Sequence, residues 1–213
     1  MTQFEAIIFD MDGVLVDSEP LHNRAWETIF DELGCAGTHG LNLDNYIGVN
    51  DRILFRDFQA ATNLPVTYEE LRPRKYAHLV RYLHEHRPVF TELNQLLPEL
   101  RQHYRLAVAT NSSHRLIDVV MEISGLRDQF ETILSGQDIQ ALKPDPEIYI
   151  TAAARLGISP AACCAIEDSP AGIQAAQAAG MKCIGLATSL PAGKLKSADW
   201  VAENYADVRR LLL

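Results

Sequence analysis

The apolar residues Ala6-Ile7-Ile8-Phe9 run directly into Asp10-Met11-Asp12-Gly13, and this junction constrains the fold more than any other stretch. A short uninterrupted apolar run reads as a strand buried on both faces, the kind found in parallel sheets. Open α/β sheets bind their ligands at the carboxyl ends of such strands. Two carboxylates two residues apart at that position repel each other, and burying them is costly unless something positive neutralises them. The pair therefore predicts a bound cation, and a cation beside carboxylates points to phosphate chemistry.

The rest of the chain repeats the strand-like signal. Leu106–Ala109, Thr132–Leu134, Cys163–Ile166, Cys183–Leu186 and the short Trp200-Val201 alternate with helical patterns over 113–124, 147–156 and 170–179, each closed by a glycine (Gly125, Gly157, Gly180). This alternation predicts a Rossmann-like, doubly wound parallel sheet of the α/β class with helices on both faces. Residues 17–88 break the rhythm. They contain no convincing strand, only helical patterns over Pro20–Leu33, Asp51–Thr62 and Tyr68–His86, with Pro20 suited to a first turn and Ser18 or Glu19 able to cap it. The expected organisation is a catalytic core of residues 1–16 and 89–213 with a helical cap domain of 17–88 inserted. Because that insertion leaves the sheet directly after the two aspartates, it is expected to act as a lid.

Polar residues follow every strong strand: Asp10 and Asp12 after the first, Thr110-Asn111-Ser112 after the second, Glu167-Asp168-Ser169 after the fourth. Lys143 stands between the third and fourth, in Lys143-Pro144-Asp145-Pro146, where two prolines stiffen the backbone. In a parallel sheet all of these converge on one edge. Asp10, Asp168 and Glu167 supply the hard oxygens that suit Mg²⁺. Lys143 supplies a fixed positive charge, and the Thr110 hydroxyl and the amides after it can donate to a phosphoryl oxygen. A phosphate monoester carries a charge of about −1.5 to −2 at neutral pH. A carboxylate can attack such an anion only when nearby positive charge offsets the repulsion, here from Mg²⁺ and Lys143.

These four motifs, Phe9-Asp10-Met11-Asp12-Gly13-Val14, Val108-Ala109-Thr110-Asn111-Ser112, Lys143-Pro144 and Glu167-Asp168-Ser169, resemble in order and spacing those of the haloacid dehalogenase superfamily, across essentially the whole chain. Leu21–Trp26 and Ser169–Ile173 are similar to the subgroup that holds β-phosphoglucomutase and the small sugar-phosphate phosphatases. The resemblance implies that Asp10 is a nucleophile forming an aspartyl-phosphate and that Asp12 is the general acid and base. It implies that Thr110, Asn111 and Lys143 hold the phosphoryl group. Mg²⁺ would be bound by Asp10, the Asp12 backbone carbonyl and Asp168, with Glu167 in support. The activity it implies is a Mg²⁺-dependent phosphatase acting on a sugar or polyol phosphate. The alternative is an intramolecular phosphoryl transferase of the β-phosphoglucomutase kind.

In the insertion, His22 matches a cap histidine that helps bring the acid aspartate into position in mutase relatives. Lys75 aligns with a cap lysine that meets substrate phosphate. The segment Gly48–Arg52 corresponds to a specificity loop in which β-phosphoglucomutases carry an arginine. This chain has Asp51 at that position and Arg52 one place later, a departure that disfavours a second phosphate. Asp51 can alternatively cap the helix after it. Trp26 reads as cap core.

Bulk properties fit a small-molecule enzyme. With 47% hydrophobic and 22% charged residues, the 213-residue chain can build a sizeable core. A net charge of −9 argues against nucleic acid as a partner, so an anionic substrate must be drawn by a local positive site. No run approaches a membrane span, the N-terminus lacks a signal-peptide pattern, and Cys35, Cys163, Cys164 and Cys183 read as buried thiols. A cytoplasmic monomer acting on a small phosphate ester is the expectation.

Overall fold

The structure is a computed structural model that describes residues 4–47, 49 and 51–213; the specificity-loop positions Gly48 and Asn50 lie outside the described residues. Six strands, β1 (Ala6–Phe9), β2 (Arg105–Ala109), β3 (Thr132–Leu134), β4 (Cys163–Glu167), β5 (Lys182–Leu186) and β6 (Trp200–Ala202), form one sheet in the order β3-β2-β1-β4-β5-β6. Every pairing is parallel. This is the doubly wound topology expected, and its strand order reverses between β1 and β4, where such sheets bind ligands.

Side-chain alternation explains how both faces are covered. Ala6, Ile8, Ala107, Ala109, Leu134, Cys163, Ala165 and Cys183 pack with residues of α6 (Glu147–Leu156) and α7 (Pro170–Ala178) in one buried cluster. The alternate residues Ile7, Phe9, Leu106, Val108, Cys164 and Ile166 are equally buried, so the other face is covered too. The α6 face is built mostly of alanine and cysteine, which lets these helices approach the sheet closely. All four cysteines are free and buried. Gly125 and Gly157 end α5 (His114–Ser124) and α6 in left-handed backbone, as their positions predict.

Two helices escape the sequence reading. α4 (Leu93–Leu100) carries Pro98 internally, and α8 (Tyr205–Leu212) is short and polar. Both are held by tertiary packing: Leu93, Leu96, Leu97 and Leu100 are buried, and the Tyr104 hydroxyl donates to the Leu212 carbonyl at 2.6 Å. Among the described residues no helix is long and apolar enough to cross a membrane.

The chain divides into two compact units, residues 18–87 and the remainder. It leaves the sheet-bearing unit at Asp17 and returns at Pro88, and the two crossings are stitched by the Asp17 N–H to the Pro88 carbonyl at 2.8 Å. Within residues 18–87, α1 (Glu19–Glu32), α2 (Asp51–Thr62) and α3 (Tyr68–His86) enclose their own core of Trp26, Ile29, Phe30, Phe55, Phe58, Tyr68 and Leu71. A capping box between Thr67 and Glu70 starts α3. Ser18 does not cap α1 with its side chain. Its backbone is already in the helical region (φ −89°, ψ −19°) rather than in the extended conformation usual for a capping residue.

Phe30 is fully buried and stacks on Phe58 with ring centroids 4.1 Å apart. Phe30→Ala is expected to lower unfolding stability by about 3–5 kcal/mol, measured by urea denaturation. A loss below about 1 kcal/mol would mean that this core collapses readily around the hole.

Candidate active site

Strand register sets the level of the site. Phe9 lies beside both Val108 and Ile166, so Asp10, Ala109 and Glu167 stand next in line on β1, β2 and β4. The Asp10 N–H bonds to the Ile166 carbonyl at 3.0 Å, continuing the ladder one residue past the strand. By alternation Asp10 and Glu167 point to the small-residue face, the one that α6 covers.

Lys143 enters there from the β3–α6 loop. Its ammonium lies 2.8 Å from Asp10 Oδ1, 2.8 Å from the Ala109 carbonyl, 2.5 Å from Glu167 Oε1 and 3.2 Å from the Tyr149 hydroxyl. One ammonium thus ties together the ends of three neighbouring strands. The lysine backbone is fixed as well, since its N–H donates to Asn111 Oδ1 at 3.0 Å. Asn111 was expected to hold phosphate; its carbonyl oxygen here holds the Lys143 loop.

Glu167 is fully buried. Its Oε1 accepts from the Tyr149 hydroxyl at 2.6 Å as well as from Lys143, and its Oε2 accepts from Ser169 at 3.2 Å. Gly172, in the first turn of α7, makes room for that carboxylate, because a Cβ there would come within 1.9 Å of it. Asp12 is held separately: Ser112 Oγ donates to its Oδ2 at 2.6 Å. Thr110 is buried, and its hydroxyl accepts the Ser112 N–H at 3.1 Å, which shapes the turn after β2.

Asp10, Glu167 and Asp168 each bring one carboxylate oxygen within 4.8 Å of the others. Lys143 contributes the neighbouring positive charge, against three carboxylates. Gly13, at φ +71°, closes the other side. A Cβ there would lie 1.9 Å from Asp168 Oδ2, so only glycine lets the turn after β1 press against this carboxylate. A hard divalent cation fits this set of clustered oxygens and surplus negative charge.

Burial pushes the Asp10 carboxyl up to about 7; Glu167 and Asp12 add to the rise and Lys143 opposes it. For Lys143, burial works against the charged form, but the carboxylates of Asp10 and Glu167 outweigh it and hold the ammonium above its ordinary range. Burial, then the charges of Glu167 and Asp10, raise Tyr149 well above a free phenol. The phenol therefore stays protonated and donates to Glu167.

The cap candidates separate into two groups. His22 and Lys75 meet in residues 18–87: Lys75 Nζ lies 2.8 Å from His22 Nδ1 and 2.9 Å from Asp51 Oδ2. Asp51 also accepts from Trp26 Nε1 at 2.9 Å. An ammonium only donates, so His22 Nδ1 accepts and its ring proton sits on Nε2. Burial opposes ionisation of Asp51, but the Lys75 charge and the Lys75 and Trp26 hydrogen bonds hold its carboxyl below the usual range. Lys75 is fully buried, not part of a solvated basic face. Arg52 is elsewhere, exposed, paired with Glu69 at 2.9 Å and stacked 4.5 Å over Tyr68. Ser112, placed at the site edge by the sequence but given no role there, holds Asp12, whereas Tyr149 and Thr188, whose hydroxyl donates to the Gly13 carbonyl, went unread in the sequence as site residues. Tyr149 lies in a helix pattern whose buried face carries no mark of a hydroxyl aimed at a lysine.

A parallel sheet that gathers carboxylates, a lysine and hydroxyls at its switch point has the make-up of an α/β enzyme site. The profile of the haloacid dehalogenase-like hydrolases matches residues 7–186, and the chain belongs to that family. It is 32% identical to a phosphorylated carbohydrates phosphatase of Thermotoga maritima, over 89% of this chain and 88% of the relative. It is 29% identical to β-phosphoglucomutase of Bacillus subtilis, over 98% of this chain and 93% of the relative. A solved structure of CbbY from Rhodobacter sphaeroides with xylulose-(1,5)-bisphosphate superposes with a TM-score of 0.79 at 26% identity, covering 96% of each chain.

Asp10 also makes stability depend on pH. Between its ordinary value of 3.8 and about 7, the folded protein keeps a proton that the unfolded chain has lost. Stability contributed by this group therefore falls as pH rises through that window and is flat above it. Asp10→Asn mimics the protonated form. In chelator it is expected to melt with wild type near pH 4 and above it at pH 8, read by calorimetry at both pH values. A variant that melts below wild type at pH 8 would show that the Lys143 attraction outweighs desolvation.

Proposed function

We propose that the protein is a Mg²⁺-dependent phosphatase that hydrolyses a small sugar or polyol monophosphate through a phosphorylated Asp10. The observation that carries this reading is Asp10: a buried carboxylate with one oxygen held by Lys143, beside Asp168, and with a second, separately held carboxylate two residues on. Lys143 orients Asp10 through Oδ1, which leaves Oδ2 to attack phosphorus. The bond from Oδ2 to phosphorus forms as the ester P–O bond breaks, and Asp12 delivers a proton to the departing alkoxide oxygen. Asp12 then takes a proton from water as that water attacks phosphorus, the bond to Asp10 breaks, and inorganic phosphate leaves. Ser112 keeps the Asp12 carboxylate in place through both steps. The Thr110 hydroxyl and the amide of the next residue, Asn111, would donate to the phosphoryl oxygens, while the Ser112 N–H holds the Thr110 hydroxyl. Asp10 and Asp168 would hold Mg²⁺, with Glu167 in support, and the ion supplies positive charge against the transferring phosphoryl group.

The relative named for phosphorylated carbohydrates supports the substrate class. The likeness to β-phosphoglucomutase supports a second reading, in which a substrate hydroxyl takes the phosphoryl group from Asp10. Asp51 weighs against it: an aspartate paired to Lys75 stands where the mutases carry an arginine, and it offsets the positive charge available for a second phosphate.

A screen of hexose, pentose and polyol monophosphates is expected to release phosphate only with Mg²⁺, with Asp10→Asn slower by at least about 1,000-fold. Chelator-insensitive turnover shared by both proteins would end this reading. With β-glucose 1-phosphate, glucose 6-phosphate formed without free phosphate would establish the mutase instead.

A further inference from the structure

Ser189 follows β5 on the same edge of the sheet as the carboxylates, in a loop tied down by its neighbours. The Thr188 hydroxyl donates to the Gly13 carbonyl, and the Ala187 N–H bonds to the Ala202 carbonyl at 2.8 Å. The next side chain in this loop is that of Ser189. Its hydroxyl oxygen is sealed from solvent, and among the described residues it finds no hydrogen-bond partner.

Its surroundings are specific. A Cβ built on Gly13 would sit 2.3 Å from Ser189 Oγ and 1.9 Å from Asp168 Oδ2. The serine and aspartate oxygens therefore lie no farther apart than the sum of those distances, yet they do not bond to each other. A buried donor without a partner destabilises a fold unless something else satisfies it. Local rules are broken in this way at functional sites.

We propose that Ser189 is a positioning residue for the divalent cation that Asp10 and Asp168 fit, its hydroxyl oxygen accepting from a water in the hydration shell of that ion beside Asp168. Mg²⁺ keeps several of its waters when bound, and the polarised protons of those waters need acceptors of their own. Asp168 and Ser189 reach the site from the ends of β4 and β5, and Gly13 from β1, so the three together form one wall. This inference rests on the cation reading given above.

Two consequences of opposite sign follow. Removing the hydroxyl removes an unsatisfied buried group, so the cation-free protein loses nothing in stability. Removing it also deprives the bound ion of an outer partner, so cation affinity falls. A serine with a purely structural role would shift stability in the cation-free protein and leave affinity alone.

The test is calorimetric titration of MgCl₂ into the full chain, paired with melting temperatures in chelator. Ser189→Ala is expected to bind Mg²⁺ about 10-fold more weakly, with a melting temperature in chelator equal to or above wild type. Ser189→Thr, which keeps the hydroxyl, is expected to retain wild-type affinity. Unchanged affinity in Ser189→Ala overturns the assignment. So does an equal loss in Ser189→Thr, or a lower melting temperature of Ser189→Ala in chelator. Failure of wild type itself to bind Mg²⁺ overturns the cation reading first, and the Ser189 role with it.

Discussion

The Lys143 ammonium, whose side chain is 5% exposed, joins the ends of β1, β2 and β4 through Asp10, the Ala109 carbonyl and Glu167. Burying a lysine is costly, and burying two carboxylates beside one another is costlier. Neither is tolerable alone. Together, with Tyr149 and Ser169 meeting the remaining Glu167 lone pairs, they become a network whose every member has a donor or acceptor in reach. Around this point the alanine-rich face of the sheet and the glycine at 172 make sense, because the network needs volume that larger side chains would fill.

That arrangement leaves Asp10 poised rather than settled. Lys143 favours its charged form, whereas burial, Glu167 and Asp12 disfavour it more. A carboxylate in such balance responds strongly to any added positive charge. Asp12, two residues on, is anchored by Ser112 from another strand end.

The helical unit solves a second buried-lysine problem with the same physics. Lys75 is satisfied by Asp51 and His22, and Trp26 donates to the other Asp51 oxygen. The sequence placed His22 and Lys75 on helices some 50 residues apart but supplied no reason for them to meet. It also gave Arg52 the same standing as Lys75, and the structure separates them: one is buried in a cluster and the other lies over Tyr68 at the surface.

What could be read from the chain alone is what depends on local pattern. Apolar runs ending in polar residues located β1, β2 and β4, glycines marked helix ends, and the loss of alternation after Asp17 marked the inserted helices. Because a parallel sheet brings its strand ends to one edge, Asp10, Thr110, Lys143, Glu167 and Asp168 could be assembled in advance. Only the tertiary structure decided which partners those residues take: Asn111 on the Lys143 backbone, Tyr149 on Glu167, Ser112 on Asp12, and Ser189 beside Asp168. The helices α4 and α8, weak by composition, also exist because packing holds them. Periodicity reports which face of an element is buried, whereas a hydrogen bond between residues tens of positions apart depends on register and loop geometry that no local pattern encodes.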